Sequence, residues 1–157
     1  MGPANVEREG LDASALRTLA AELAALLAPG DVVVLAGEVG TGKTTFVRAA
    51  AHRLGVEEEV TSPTYQLARG YEGTVNGEPC PVNHLDLYRL EGLDMRDSLD
   101  LEEYLDPASV TFIEWAEPAI SLLEDPTVVE LSHETPATRR VRLWGPAAEC
   151  LARDLRC

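Results

Sequence analysis

Apolar residues recur at helical spacing between Asp12 and Leu27, which predicts an amphipathic helix near the start of the chain. The apolar positions are Leu16, Leu19, Ala20, Leu23 and Leu26 or Leu27. Asp12 or Ser14 can cap the first turn, and the pair Pro29-Gly30 ends the helix. We expect the apolar face of this helix to pack on a sheet.

A strand, a loop and a second helix are predicted directly afterwards. Residues 31–36 read DVVVLA, a short β-rich apolar run, and residues 43–54 read KTTFVRAAAHRL, which is helical and closed by Gly55. The loop between them is rich in glycine. Residues 60–71 begin as a hydroxyl-rich loop and become strand-like.

The following segments alternate strands with short helices. Asn76-Gly77 is a hairpin signal that leads into a strand over 82–88, where His84, Asp86 and Tyr88 share one face. Residues 91–106 carry seven acidic residues among sixteen, which is typical of a solvated surface or of a docking face for a basic partner.

A buried strand over 109–113 ends at Glu114-Trp115. A short helix over 116–123, a hairpin formed by 127–133 and 139–144, and a helix over 146–155 complete the chain. This order predicts an α/β fold, a single-domain P-loop NTPase with a mixed central sheet and flanking helices. Residues 1–10 have no hydrophobic period and are predicted to be a loose N-terminal leader, with the domain spanning 11–157.

Composition and charge restrict the possible partners and location. The net charge is −14, with 27 acidic against 13 basic residues, so direct tight binding of nucleic acid is not expected. Arg139, Arg140 and Arg142 cluster and could form a local basic patch, but the alternation of Arg140 and Arg142 suggests the outer face of a strand. The three cysteines are few and lack metal-type spacing, so we expect reduced thiols. With no apolar run near the roughly 20 residues that span a bilayer, we expect a cytoplasmic protein without a membrane anchor.

The glycine-rich loop provides the strongest chemical signal. Residues 37–44 read GEVGTGKT and fit the pattern G-x-x-x-x-G-K-[ST] at every fixed position. Backbone N–H groups of such a loop form an anion nest, and the next helix adds the positive end of its dipole. Lys43 would supply charge to the outer phosphates, and the Thr44 hydroxyl would be an Mg²⁺ ligand. The predicted nucleotide-binding residues here are Glu38, Val39, Gly40, Thr41, Gly42, Lys43, Thr44 and Thr45.

Nucleotide hydrolysis also requires carboxylates for the metal and the attacking water. Glu114 ends an apolar strand, which is the Walker-B arrangement, although an acid can also simply end a strand at the surface. Asp86 lies on the polar face of its strand. Together with Thr44, these two acids form the predicted metal and catalytic set. His84 with Asp86 could form a metal pair, or His84 could be a hydrogen-bonded structural residue.

Two further features lie beside this set in the sequence. Thr61, Ser62 and Thr64 form a hydroxyl-rich loop that either makes local turn bonds or contacts the γ-phosphate in the manner of a switch loop. Trp115 adjoins Glu114 and is either a core residue or a shield that keeps water from the phosphates.

The motifs GEVGTGKTT, SPTYQL, HLDLYRL and IEWAE, in this order and spacing, resemble those of the bacterial ATPase of tRNA threonylcarbamoyladenosine synthesis, the TsaE (YjeE) family, over about residues 11–145. The resemblance implies that Glu114 is the Walker-B acid, that Asp86 is the acid of the HxDxYR element and that Trp115 lies beside the nucleotide. It also implies that Asp12 and Ala13 border the adenine. Asp100 departs from the glycine usual in the family.

The resemblance further implies an ATP- and Mg²⁺-dependent ATPase, weak alone, that works with two partner proteins similar to TsaB and TsaD. That complex installs threonylcarbamoyl on adenosine 37 of tRNAs that read codons beginning with A, so tRNA would be contacted only indirectly. Two other functions remain open from the residues. One is a small-molecule kinase, although no lid-like insertion is apparent. The other is a nucleotide-dependent switch or scaffold with negligible turnover.

Overall fold

The computed structural model describes residues 2–61, 68–88 and 104–153. Within these ranges the strands are β1 (Val6–Leu11), β2 (Val32–Ala36), β3 (Ala68–Val75), β4 (Glu78–Asp86), β5 (Val110–Glu114), β6 (Thr127–Thr135) and β7 (Thr138–Trp144). The helices are α1 (Ala13–Ala24), α2 (Lys43–Arg53), α3 (Pro146–Arg153) and a 3-10 helix, Glu117–Leu122.

The described strands form one mixed seven-stranded sheet in the order β1-β7-β6-β2-β5-β4-β3. Strand β2 lies in parallel between β5 and β6, and β4 is parallel to β5. Antiparallel hairpins, β3–β4 and β6–β7, extend the sheet on both sides, and β1 adds to β7. The carboxyl ends of β2, β5 and β4 therefore meet at one edge, which is where ligands bind in open α/β sheets.

Helices α1 and α2 supply the apolar cover of the main core. Leu23, Phe46 and Phe112 are each 0% exposed within this cluster. Burying one such side chain stabilises the fold by about 1.5–3 kcal/mol. A smaller cluster containing Leu85, Leu87 and Ile113 includes Ala119 of the 3-10 helix. The predicted α/β fold with a mixed central sheet is confirmed.

The prediction of a loose leader over residues 1–10 is wrong, because Val6–Leu11 forms the edge strand β1. Only Val6 is buried in this strand, so it has no hydrophobic alternation that sequence inspection could detect. Backbone pairing with β7 holds it in place, together with ion pairs from Arg140 to Glu7 and, at 3.7 Å, to Glu9. Charged side chains suit an edge strand because they discourage pairing with other chains.

Several element predictions need adjustment. The helix expected over 116–123 is a 3-10 helix, and the strand expected over 82–88 runs from Glu78 to Asp86. Of the predicted polar face of that strand, His84 is only 1% exposed and lies inside the protein, whereas Tyr88 follows the strand and is 54% exposed. Most of the acidic segment 91–106, including Asp100, lies outside the described residues.

The cysteines differ from one another in bonding. Cys80 is a buried free thiol, whereas Cys150 is disulfide-bonded, so the expectation of reduced thiols is wrong for Cys150. The spacing of three cysteines in a sequence does not reveal which of them the fold brings together.

In the described ranges, no helix is long and apolar enough to span a bilayer.

Candidate nucleotide-binding site

The glycine-rich loop joins β2 to α2 at the carboxyl edge of the sheet. Gly37, Gly40 and Gly42 adopt φ values of +141°, +81° and +102°, which side chains rarely tolerate. A Cβ at Gly37 would lie 2.4 Å from the carbonyl oxygen of Leu131. The turn is therefore one that only glycine can form at this position, and it directs the chain into the N-terminus of α2, where Gly42 is the N-cap.

Lys43 is the first residue of α2, and its side chain folds back over the loop. Its Nζ donates a 2.6 Å hydrogen bond to the Gly37 carbonyl and lies 3.9 Å from the centroid of the Trp115 ring. Burial lowers the pKa of Lys43, and the carboxylates of Glu114, Asp86 and Glu117 oppose this effect. The ammonium is thus held by a carbonyl, a ring and nearby negative charge, ready for an anionic ligand.

A cavity of about 470 Å³ opens beside this lysine, within the range usual for small-molecule sites. It is lined by Val39, Gly40, Gly42, Lys43, Thr44, Thr45, Asp86, Tyr88, Glu114 and Trp115. All of these residues except Tyr88 belong to the predicted nucleotide-binding or metal set. Val39 is 76% exposed. Glu38 and Thr41 lie outside the lining, and the Thr41 hydroxyl donates to the Glu38 carbonyl at 2.8 Å.

The two predicted carboxylates are direct neighbours across the sheet. Asp86 ends β4 and Glu114 ends β5, and the parallel register pairs these two residues. The same register pairs Leu35 of β2 with Glu114, just before the glycine-rich loop. Three strand ends therefore carry the loop and both acids to one place, as the sequence predicted.

His84 forms a buried contact with Glu114. The distance between His84 Nε2 and Glu114 Oε2 is 2.6 Å, and the two side chains are 1% and 5% exposed. An ionised carboxylate oxygen only accepts, so this contact is a hydrogen bond in the tautomer that has the proton on Nε2. The hydrogen-bonded interpretation of His84 is thus supported, and one oxygen of Glu114 is fixed by a residue two positions before Asp86.

Trp115 follows Glu114 in a left-handed conformation, with φ of +56°. This conformation costs free energy for a residue with a side chain. It places the indole over the Lys43 ammonium. The Tyr88 ring packs edge-on against the indole, with centroids 5.0 Å apart at an interplanar angle of 61°. Both rings line the cavity, and they form an apolar part of its wall beside Lys43.

The oxygen donors of this cavity suit a hard divalent cation. Thr44, Asp86 and Glu114 all line it and offer one hydroxyl and two carboxylates, the ligand type that Mg²⁺ prefers. Within the described residues there is no cluster of three or more His, Cys, Asp or Glu side chains suited to a metal. A metal at this site would consequently need oxygens from elsewhere, as Mg²⁺ does when it is shared with phosphates.

The remaining predicted site residues lie away from the lining. Asp12 caps α1, accepting a 2.8 Å hydrogen bond from the Ala15 N–H, and Ala13 begins that helix. The hydroxyl oxygen of Thr61 accepts a 3.3 Å hydrogen bond from the side chain of Arg69, eight residues further along the chain. Ser62 and Thr64 lie outside the described residues. The roles of these residues toward a nucleotide remain predictions.

One residue at the loop was not singled out from the sequence. Arg139, at the start of β7, donates to the carbonyl oxygens of Thr41 at 3.2 Å and Gly40 at 3.3 Å. In the sequence it stands out only as one member of an arginine cluster that could form a local basic patch. No local pattern connects it with the loop, because 98 residues separate it from Thr41.

Comparison with known proteins agrees with this geometry. The family model described as threonylcarbamoyl adenosine biosynthesis protein TsaE matches residues 11–141. The chain belongs to the TsaE family. Proteins named tRNA threonylcarbamoyladenosine biosynthesis protein TsaE are similar to it in Streptomyces coelicolor, with 43% identity covering 70% of this chain and 73% of that protein, and in Mycobacterium tuberculosis, with 37% identity covering 81% and 79%.

The fold is also found in a solved structure. The crystal structure of Bacillus subtilis YdiB superposes with a TM-score of 0.71, covering 95% of this chain and 91% of that chain. The sequence identity in this comparison is 23%, so the likeness concerns the fold. TsaE membership and an α/β P-loop NTPase-like fold thus rest on independent comparisons.

Proposed function

We propose that this protein is an Mg²⁺-dependent ATPase that drives a complex installing threonylcarbamoyl on adenosine 37 of tRNAs that read codons beginning with A. The observation that carries the proposal is the meeting of a complete P-loop with two paired strand-end acids, Asp86 and Glu114, in one cavity. The relatives' names supply the pathway.

Each residue of the cavity has a distinct task in this proposal. The loop amides and the α2 N-terminus would bind phosphate oxygens, and Lys43 would exchange its Gly37 carbonyl for the outer phosphates. Thr44, Asp86 and Glu114 would hold Mg²⁺, which supplies charge neutralisation and orientation of the phosphates when bound. The indole of Trp115 would exclude water from the lysine side of the site.

Glu114 would also orient the attacking water. One of its oxygens, Oε2, is bound by His84, which restrains the carboxylate of a residue that lines the cavity. A restrained acceptor lowers the cost of arranging water for an in-line attack. Asp86, paired with Glu114 across the strands, lies where it can share the metal.

The charge of the protein supports assistance by partners. A chain of net charge −14 is poorly suited to hold tRNA, so proteins similar to TsaB and TsaD would carry the tRNA and the threonylcarbamoyl chemistry. In this proposal, hydrolysis is slow in the isolated protein, and the work takes place in the cytoplasm. The exposed Val39 and Tyr88 lie at the mouth of the cavity, where a partner would sense the bound nucleotide.

The test is depletion of the protein in its own cell, followed by mass spectrometry of tRNA nucleosides. We expect threonylcarbamoyladenosine to disappear and to return with the wild-type gene but not with Lys43→Ala. Unchanged modification after depletion would contradict the proposal. The same cells allow affinity capture with and without ATP, and recovery of neither threonylcarbamoyl-transfer protein in any nucleotide state would also contradict it.

The two alternative functions give different results in the same system. Restoration of modification by an Asp86→Asn, Glu114→Gln double variant would favour a switch or scaffold without turnover. ATP-dependent phosphorylation of a nucleoside or metabolite by the purified chain would favour a kinase.

A further inference from the structure

Arg139 joins the β6–β7 hairpin to the crest of the glycine-rich loop. The guanidinium is half-buried and donates four hydrogen bonds, all to backbone carbonyls. Two bonds, to Thr135 at 3.2 Å and Thr138 at 2.9 Å, hold it to its own hairpin. The other two reach the carbonyls of Gly40 and Thr41. A planar fork of donors can hold two consecutive carbonyls in fixed orientation, which a lysine cannot do.

The backbone of residues 40–42 needs a contact from outside the loop to keep its conformation. Gly40 and Gly42 both have positive φ, and glycine reaches many other conformations at little cost. Inside the loop, Thr41 donates to the Glu38 carbonyl through its N–H at 3.3 Å and its hydroxyl at 2.8 Å. These short-range bonds close the turn but do not connect it to the sheet. Arg139 makes that connection from a strand.

The orientation of the carbonyls determines that of the amides. In a trans peptide the C=O and the next N–H point in opposite directions. The carbonyl of Thr41 points to Arg139, so the N–H of Gly42 points away from it, and Gly42 lines the cavity. The hydrogen bond to the Thr41 carbonyl therefore orients the N–H of Gly42, which belongs to the anion nest. The same bond keeps the partially negative carbonyl oxygen turned toward the guanidinium and away from the phosphate side.

Arg139 also lies where β1 leads into α1. The strand register pairs Arg139 with Leu11, the residue before the α1 cap Asp12. Helix α1 contacts the loop as well, since a Cβ at Gly42 would lie 3.1 Å from Leu16 Cδ2. One arginine therefore ties the loop to the strand pair from which α1 begins.

We propose that Arg139 is a positioning residue, which holds the peptides of Gly40 and Thr41 in the phosphate-binding conformation and so sets the affinity for the nucleotide. This proposal rests on the proposed function, because it assumes that the loop binds phosphates. It adds a residue outside the P-loop to the determinants of that binding.

The test is calorimetric binding of MgADP to the full-length chain, which needs no turnover. Loss of hydrogen bonds from a charged donor corresponds to a weakening of about 10- to 100-fold for Arg139→Ala. Arg139→Lys, which keeps charge but not the fork, should lose an intermediate amount. The matched control is Arg142→Ala, on the same strand, whose side chain pairs with Glu130 at 3.9 Å and not with the loop. It should bind MgADP as the wild type does.

Two further readouts separate positioning from general destabilisation. Hydrogen–deuterium exchange of the unliganded protein should accelerate over residues 38–42 in Arg139→Ala and not in Arg142→Ala. Added guanidinium ion should partly restore MgADP binding to Arg139→Ala. With ATP, the half-saturating concentration should change more than the saturated rate, because the loop binds ground and transition states alike.

Equal MgADP affinity in wild type and Arg139→Ala would overturn the inference, as would an equal loss in Arg142→Ala. If Arg139→Ala does not fold, full wild-type affinity in Arg139→Lys would overturn it, and an intermediate loss there would support it. Failure of the wild type to bind MgADP would overturn both this inference and the proposed function. Binding of MgADP without ATP hydrolysis in any assembly would contradict the proposed function alone.

Discussion

The ammonium of Lys43 lies 3.9 Å from the centroid of the Trp115 ring while it donates to the Gly37 carbonyl at 2.6 Å. In the proposed function the phosphates bind the same ammonium, so a nucleotide would compete with a cation–π contact and a hydrogen bond and would change the surroundings of the indole. This makes Trp115 a natural reporter of binding.

The emission of Trp115 should change on addition of MgADP and saturate with the binding isotherm. The chain has two tryptophans, and the other, Trp144, donates to the Gly2 carbonyl at 2.9 Å, away from the cavity lining. The signal should accordingly vanish in Trp115→Phe and persist in Trp144→Phe. An identical response in both variants would contradict the assigned position of the nucleotide.

His84 should matter for turnover more than for binding. Its 2.6 Å contact fixes Glu114, so His84→Ala should reduce the rate of ATP hydrolysis about 10- to 100-fold, as loss of a residue that orients a metal ligand does. MgADP affinity should change by less. His84→Gln, whose amide can still donate, should recover part of the rate. Steady-state kinetics and calorimetry on all three proteins check this, and a uniform loss of both quantities would indicate only a structural role.

Alanine variants of two glycines with the same backbone conformation can separate the cost of backbone strain from a loss of phosphate binding. Gly40 and Gly77 have φ of +81° and +82°, and a Cβ at either would meet nothing within 4 Å. Alanine at each position should cost about 1–2 kcal/mol of unfolding free energy from left-handed strain. Only Gly40→Ala should also weaken nucleotide binding, since Gly40 lines the cavity and Gly77 lies in the β3–β4 turn. Denaturant titration and MgADP calorimetry provide the two measurements.

Asp31 gives a prediction on the pH dependence of stability. Burial raises its pKa above the ordinary 3.8, and the hydrogen bond from the Ala28 N–H opposes this only in part. The folded state therefore keeps the proton longer than the unfolded state, and stability falls as pH rises from 3.8 through the raised pKa. At neutral pH the whole penalty is present.

Replacement of Asp31 by Asn removes that charge and keeps an oxygen for the Ala28 N–H. The thermal midpoint of Asp31→Asn should exceed that of the wild type near neutral pH, and the two should converge below pH 3.8. A gain that is equal at both pH values would mean that the charge of Asp31 is not its cause. Scanning calorimetry at the two pH values decides the matter.

Much of the site could be predicted from sequence because its signals are local. The P-loop spacing is contiguous, Glu114 ends a recognisable apolar strand, and Asp86 lies on the polar face of another strand, whereas the parallel pairing that makes the two acids neighbours is visible only in the sheet register. Strand β1 could not be predicted because only one of its side chains is buried, so the sequence shows no hydrophobic alternation there. His84 was recognised as polar, but its partner, 30 residues away, depends on the register. Arg139 acts across 98 residues, a distance over which sequence patterns carry no signal.

The central claim is that this cavity hydrolyses ATP with Glu114 as an essential group. Its most direct test is phosphate release from γ-labelled ATP by the protein reconstituted with its two threonylcarbamoyl-transfer partners, with Mg²⁺ and with a chelator. We predict Mg²⁺-dependent release that Glu114→Gln lowers by about 10³-fold, the scale of losing one essential group at a phosphoryl-transfer site, while MgADP binding persists. Equal rates for wild type and Glu114→Gln, or no release by the wild-type assembly, would contradict the account.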